Sequence, residues 1–299
     1  MSVVSAPAAV AVLVAGLAAS AVCQDQAAPM EAVALEDGSG AAAWQAEEAT
    51  ATTSDEYGLD GKPSLRFDVD VNYLTGEPDY PIGWPRMNRP VPEGLRDWRS
   101  FDFLELVIHS ETSRDALPRT ALGLILQTPD RAHQYDRTLT ELRKGETTQI
   151  VIPLSEIPGR DDVTLIQFFI SESDYRHLDT LDFYVARIAL TRYTRPTVSG
   201  VKLRQAVAFD DTTAVGVGFR LLGLPEGGRA LVHGRLRQGR KALGQAQAEL
   251  TRGEQELWIP LTTRPRPGEA MLEVYLDRPQ AVGRLRFLES PFAAEKGED

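Results

Sequence analysis

Four carboxylates, Glu172, Asp174, Asp179 and Asp182, share the stretch Ser171 to Tyr184 with Tyr175, Arg176 and His177. An arginine fork donates hydrogen bonds, carboxylates accept them, and an aromatic ring offers an apolar face. A second stretch, Tyr80-Pro81-Ile82-Gly83-Trp84-Pro85-Arg86, holds two aromatics on a backbone stiffened by two prolines. A rigid aromatic costs little entropy to present to a ligand. Both stretches suit a sugar, which has an apolar ring face and a rim of hydroxyls. The candidate contacts are Tyr80, Trp84, Arg86, Tyr175, Arg176, His177 and Asp179. The aromatics would stack and the charged groups would hold hydroxyls. Each also has a structural reading: Trp84 can plug one end of a β-sandwich, and Arg176 can pair with adjacent acids to fix its loop.

Other chemistries find less support. Glu172 and Asp179 resemble the paired acids of glycoside hydrolysis, but acids are common in loops. The sequence has no Gly-x-Ser-x-Gly elbow, no His-Glu-x-x-His helix, no phosphate-binding loop and no dinucleotide fingerprint. No enzyme activity, metal or cofactor is expected. His177 has no second histidine at ligand spacing. Asp68, Asp70 and Asn72 mimic the start of a calcium loop, yet Tyr73 stands where that loop needs glycine, and strand alternation explains the spacing. The single cysteine, Cys23, excludes an intrachain disulfide. The basic run Arg235-Leu236-Arg237-Gln238-Gly239-Arg240-Lys241 reads chiefly as protection of a sheet edge, and secondarily as a contact for an acidic polysaccharide or anionic surface.

The elements that must position these residues are strands. In Leu65-Arg66-Phe67-Asp68-Val69-Asp70-Val71-Asn72-Tyr73 apolar and polar side chains alternate strictly, which puts one set inside and the other in water. Further runs lie at Phe103 to His109, Ala121 to Gln127, Thr148 to Leu154, Val163 to Ile170 and Phe183 to Thr191. Gly76-Glu77-Pro78, Asn88-Arg89-Pro90, Pro129-Asp130 and Pro158-Gly159 read as turns between them. Thr138 to Lys144 reads as a short helical turn. The candidate loop 171–184 is thus slung between two strands, where recognition residues concentrate. After Thr194-Arg195-Pro196-Thr197 come seven short β-like runs, from Val201 to Leu288, the pattern of an immunoglobulin-like sandwich. The predicted fold is all-β: a jelly-roll β-sandwich followed by a smaller immunoglobulin-like β-sandwich.

The first of these resembles the galactose-binding-like jelly rolls of bacterial carbohydrate-binding modules over about residues 44–192. The resemblance rests on Asp60-Gly61-Lys62-Pro63-Ser64-Leu65-Arg66-Phe67, on Phe103-Leu104-Glu105-Leu106-Val107-Ile108, on Gln149-Ile150-Val151-Ile152-Pro153-Leu154-Ser155, and on the closing strand Phe183-Tyr184-Val185-Ala186-Arg187-Ile188-Ala189-Leu190. It implies a β-sandwich that binds a glycan. Many such modules carry an Asp pair in the closing strand, one of which helps bind calcium. Ala186 and Arg187 stand at those positions, so the calcium site is not carried over.

At 299 residues the chain has room for two domains. Its net charge is −11, and no basic residue precedes Lys62, so general nucleic-acid binding is not expected. The apolar run Ala8 to Val22 ends in Ala19-Ser20-Ala21, as a signal peptide does, and is short for a membrane span. Val22 before Cys23 argues against lipid attachment. The divisions expected are a signal peptide over 1–23, a flexible acidic linker over 24–43, the jelly roll over 44–195, the second sandwich over 196–291 and a tail over 292–299. The functional expectation is an exported, non-catalytic protein, secreted or in the periplasm or cell envelope, that binds a polysaccharide or other glycan. The alternative is an envelope or secreted structural or adaptor protein that contacts other proteins, and the third reading, behind both, is a glycoside hydrolase or polysaccharide lyase.

Overall fold

A computed structural model describes residues 29–74, 83–130, 134–205, 207–277 and 279–290. The expected signal peptide, Cys23, the candidate contact Tyr80 and the expected tail lie outside the described residues. The strands among them are β1 (Met30–Glu36), β2 (Gln45–Glu47), β3 (Thr50–Leu59), β4 (Lys62–Asp70), β5 (Arg86–Pro90), β6 (Phe103–Thr112), β7 (Gly123–Gln127), β8 (Tyr135–Thr138), β9 (Glu146–Pro153), β10 (Leu165–Phe169) and β11 (Thr180–Tyr193). There follow β12 (Thr197–Leu203), β13 (Val207–Phe209), β14 (Ala214–Leu222), β15 (Arg229–Gln238), β16 (Lys241–Thr251), β17 (Gly253–Pro260), β18 (Gly268–Tyr275) and β19 (Pro279–Leu288). No helix among the described residues is long and apolar enough to cross a membrane.

The first eleven strands form a jelly-roll sandwich. One sheet is ordered β3-β4-β11-β6-β9, with β1 also paired to β11, and the facing sheet is β2-β5-β10-β7-β8. From β4 to β11 the chain crosses between sheets at every step except the β7–β8 hairpin. Alternation in β4 sends Leu65, Phe67 and Val69 inward, all fully buried. They meet Met87, Trp98, Leu124, Phe168 and Phe183 in one core. Full burial of a side chain such as Phe168 contributes about 1.5–3 kcal/mol. Strand β11, the longest, is bonded to β4, β6 and β1, with a bulge at Ala186. Arg187 beside that bulge is paired with Glu105.

Strands β12 to β19 enclose a separate core around Val215, Phe219, Leu236, Leu272 and Phe287. A three-stranded sheet, β12-β14-β17, faces a five-stranded one, β13-β19-β18-β15-β16. Within the second sheet β13 runs parallel to β19. Arg235 and Arg237 of the basic run both pair with the buried Glu273 on β18, and Arg235 also lies over the Tyr275 ring. These two arginines hold adjacent strands together.

Asp102 joins the two sandwiches. Its carboxylate is completely buried, accepts the amide hydrogens of Tyr193 (2.9 Å) and Gly223 (3.2 Å), and pairs with Arg252 at 2.7 Å. Gly223 and Arg252 belong to the second sandwich.

Three expectations differ from the structure. The linker expected over 24–43 is structured from Met30, because β1 lies antiparallel to β11 from Met30 opposite Tyr193 to Glu36 opposite Ile188. Its Ala-rich composition fits a strand whose pairing comes from backbone amides. The segment is then fastened by Glu36, whose buried carboxylate accepts from Trp44 Nε1 at 2.8 Å and from the Gly38 and Gly40 amides, and pairs with Arg89. The helical turn expected over Thr138 to Lys144 is instead the end of β8 followed by turns. Asn88-Arg89-Pro90, read as a turn, is the second half of β5, with the proline at the strand's last position.

Candidate functional site

The loop 171–179 is held from within. Glu172 is buried, and its carboxylate accepts the Asn72 amide at 3.2 Å and the Gly83 amide at 2.7 Å. Tyr73 lays its hydroxyl on the carbonyls of Glu172 and Tyr175. Asp179 is nearly buried and accepts the Arg176 amide at 2.7 Å, with the Arg114 guanidinium 3.6 Å away. These acids close the loop by accepting backbone amides, and the guanidinium that reaches Asp179 is that of Arg114, in place of the Arg176 pairing expected from the sequence. Tyr175 is a correction: its ring is 4% exposed in the main core and its hydroxyl donates to the Ala121 carbonyl at 2.7 Å. Burial, with Asp174 adding to it, pushes that hydroxyl's pKa far up. It therefore has no face for a ligand. His177 is half-buried; its Nδ1 accepts the Tyr73 amide at 3.2 Å and its ring stacks on Tyr73. Arg176 is exposed.

Gly83 and Glu172 bring the two candidate stretches together, since Gly83 donates to the Glu172 carboxylate and Ile170 donates to the Pro85 carbonyl at 3.0 Å. Trp84 follows directly and does not plug the sandwich: it is 46% exposed. Its amide donates to Glu48 at 2.6 Å, its ring meets the Phe169 ring edge to face at 5.4 Å, and the Arg86 guanidinium lies 5.6 Å from its centroid. Arg86 is also paired with Glu47.

Phe169 and Arg86 belong to the outer face of the sheet β2-β5-β10-β7-β8. Its inner positions, Met87, Ile166, Phe168, Leu124 and Leu126, fill the core, so the alternate positions point away from it. Strand register arranges these in rows. One row across all five strands is Glu47, Arg86, Phe169, Gly123 and Thr138. The next is Gln45, Asn88, Gln167, Ile125 and Asp136. Beyond it lie Pro90, Leu165 and Gln127. Gly123 is required here, because a methyl group on it would come within 2.2 Å of the Phe169 ring. The ring thus lies down against the sheet and extends the aromatic surface begun by Trp84.

The amide row is graded in exposure: Gln45 is exposed, Asn88 half-buried and Gln167 buried. Gln127 Nε2 donates weakly to Gln167 Oε1 at 3.4 Å. Asn88 Oδ1 is buried without a hydrogen-bond partner among the described residues. A buried acceptor left unpaired costs about 1–3 kcal/mol. Three residues of this face, Asn88, Gln167 and Phe169, were not among the sequence candidates. A signal existed for two of them: Gln167 interrupts the apolar run Leu165-Ile166-Gln167-Phe168-Phe169, and alternation about it separates Phe169 from the core residues Ile166 and Phe168.

No family model matches the sequence, and no curated protein matches it. Solved structures do resemble it distantly. A β-1,2-glucanase from Parabacteroides distasonis is 12% identical with a TM-score of 0.37, over 83% of this chain and 37% of the glucanase. A carbohydrate-binding module, CBM28, described as specific for non-crystalline cellulose, is 13% identical with a TM-score of 0.34, over 53% of this chain and 93% of the module. CBM27-1 of Caldicellulosiruptor saccharolyticus, solved with mannohexaose, is 13% identical with a TM-score of 0.33, over 54% and 96%. The chain spans little more than a third of the glucanase.

Proposed function

We propose that this chain is an exported, non-catalytic glycan-binding protein whose contact surface is the outer face of the sheet β2-β5-β10-β7-β8. The observation that carries the reading is the juxtaposition on one face of the exposed Trp84, backed by the half-buried Phe169, with the exposed Gln45 and the half-buried Asn88, which the buried Gln167 supports from the next strand. The aromatics offer apolar area to a pyranose face, and the amides donate to and accept from its hydroxyls. Arg86, already neutralised by Glu47, sets orientation at the rim. Arg176 and His177 border the face through their loop. Binding fits better than hydrolysis because the two acids weighed for catalysis, Glu172 and Asp179, are occupied in holding backbone amides. Export rests on the apolar run Ala8 to Val22. The second sandwich, read as immunoglobulin-like, spaces or supports the first.

Trp84→Ala and Phe169→Ala, each alone, should weaken binding to a recognised soluble polysaccharide by about tenfold, the equivalent of about 1.4 kcal/mol. Trp84→Ala should do so with little change in thermal stability, because half of that ring is already in water. Affinity electrophoresis against neutral and acidic polysaccharides measures this. A well-folded wild type retarded by none of them, but co-purifying with one defined protein, would shift the assignment to the adaptor reading.

A further inference from the structure

The chain has four tryptophans and treats them in two ways. Trp44 and Trp98 are buried, whereas Trp84 and Trp258 are 46% and 58% exposed. Trp258 lies on β17, far along the sequence from the face described above. Its strand neighbours Leu257 and Ile259 point into the second core, so the indole stands on the outer face of β12-β14-β17. Directly opposite it on β14 is Gly216. A methyl group at Gly216 would come within 3.0 Å of the indole Cη2 and 3.1 Å of Cζ2. The missing side chain therefore lets the ring rest on the backbone of the neighbouring strand. Gly218, two residues on, continues the low strip, with no side chain near its Cβ position.

The surroundings of this ring are charged but neutralised. Arg204 lays its Cγ against the same glycine and forks onto Glu256, at 2.8 Å and 3.2 Å. Arg220, further along β14, faces two carboxylates, Glu254 and, at 3.7 Å, Glu156, and the exposed Lys202 opposite Gly218 supplies the balancing cation. A platform on which Arg204, Arg220 and Lys202 are matched by Glu256, Glu254 and Glu156 attracts neither an anion nor a cation by net field. It suits an uncharged occupant that has a flat apolar face and can exchange hydrogen bonds with a guanidinium and a carboxylate at the edge.

We infer that Trp258, with Gly216 beneath it and Arg204 and Glu256 at its rim, is a second glycan-binding site that stacks one pyranose ring of a neutral polysaccharide. The inference extends the glycan-binding reading of the first sandwich, but it stands on a different sheet, a different core and different residues. Trp84 and Trp258 share a plan: an exposed indole supported from behind and flanked by a carboxylate-paired arginine.

The test uses the full chain in native affinity gels containing hydroxyethylcellulose, mixed-linkage β-glucan, glucomannan or xylan. Wild type is run beside Trp258→Ala, Trp258→Phe, Trp84→Ala and the Trp84→Ala/Trp258→Ala double variant, with thermal unfolding as the control for folding. Trp258→Ala should lower affinity about tenfold, Trp258→Phe should retain most of it, and Trp84→Ala should leave residual retardation that the double variant loses. Retardation abolished by Trp84→Ala and untouched by Trp258→Ala would overturn the second site and leave the first reading standing. The reverse pattern would keep the Trp258 site and sink the first. A wild type retarded in none of the gels would overturn both. Unchanged gels combined with concentration-dependent sedimentation that Trp258→Ala removes would overturn it too, by assigning the ring to a contact between copies of the chain.

Discussion

At the scale of single residues, side chains with the same chemistry divide between recognition and architecture according to where alternation sends them. Tyr175 and Trp84 both stand in polar, aromatic segments, yet Tyr175 turns into the core and Trp84 remains in water. The difference lies in neighbours the sequence does not place: the Ala121 carbonyl offers the Tyr175 hydroxyl a partner inside, and Phe169 supports Trp84 from outside. Tyr175→Phe should therefore cost about 1 kcal/mol of stability through its lost hydrogen bond. Urea unfolding checks this, and glycan affinity should be unchanged. A marked loss of binding at unchanged stability would return Tyr175 to the contact surface. Glu172 and Asp179 follow the same logic, since each accepts backbone amides and so shapes the loop.

At the scale of elements, the strands with clean alternation or apolar runs, β4, β6, β9, β10 and β11, were legible because burial dictates period two. Strands β1, β2 and β5 were not. Strand β1 is Ala- and Glu-rich and pairs through its backbone with β11, a partner more than 150 residues away that local composition cannot reveal. Strand β5 hid behind Asn88-Arg89-Pro90, because a proline ending a strand has the same local signature as one ending a loop. The amide row was thus invisible as a row: it exists only once β2, β5 and β10 are in register. The end of β1 carries a pH-sensitive fastening. The Lys62 ammonium donates to Asp37 at 2.7 Å and, with Ser39, lowers that carboxyl from 3.8 to about 2. A lowered folded-state value stabilises above the unfolded one and is lost as pH falls through the folded one. The stability difference between wild type and Lys62→Met should accordingly be full above about pH 4 and fade toward pH 2. Urea titrations across pH 2–5 read it directly, and a difference that stays flat over that range would refute the linkage.

At the scale of the whole molecule, Asp102 is the buried polar link between the two sandwiches, beside the more exposed contacts of Arg252 with the Arg99 carbonyl, of Arg99 with Glu226 and of Arg220 with Glu156. It is a fully buried carboxylate with two amide donors and one arginine, and its partners come from both sides of the junction. Removing one partner of a buried pair costs about 3–5 kcal/mol. Asp102→Ala should spend much of that at the junction, splitting a single unfolding transition into two and raising the radius of gyration in small-angle scattering. One transition and an unchanged scattering curve would show that other contacts fix the arrangement. The position of β1 has a mechanical consequence. Met30 lies opposite Tyr193, and the Thr194 amide donates to the Pro29 carbonyl, so the chain enters β1 at the same end at which β11 leaves for the second sandwich. A pull between the chain before Pro29 and the second sandwich therefore loads the β1–β11 ladder from one end. Its bonds break in succession, as a zipper opens, and β1 yields as a fuse before the tension reaches the aromatic face.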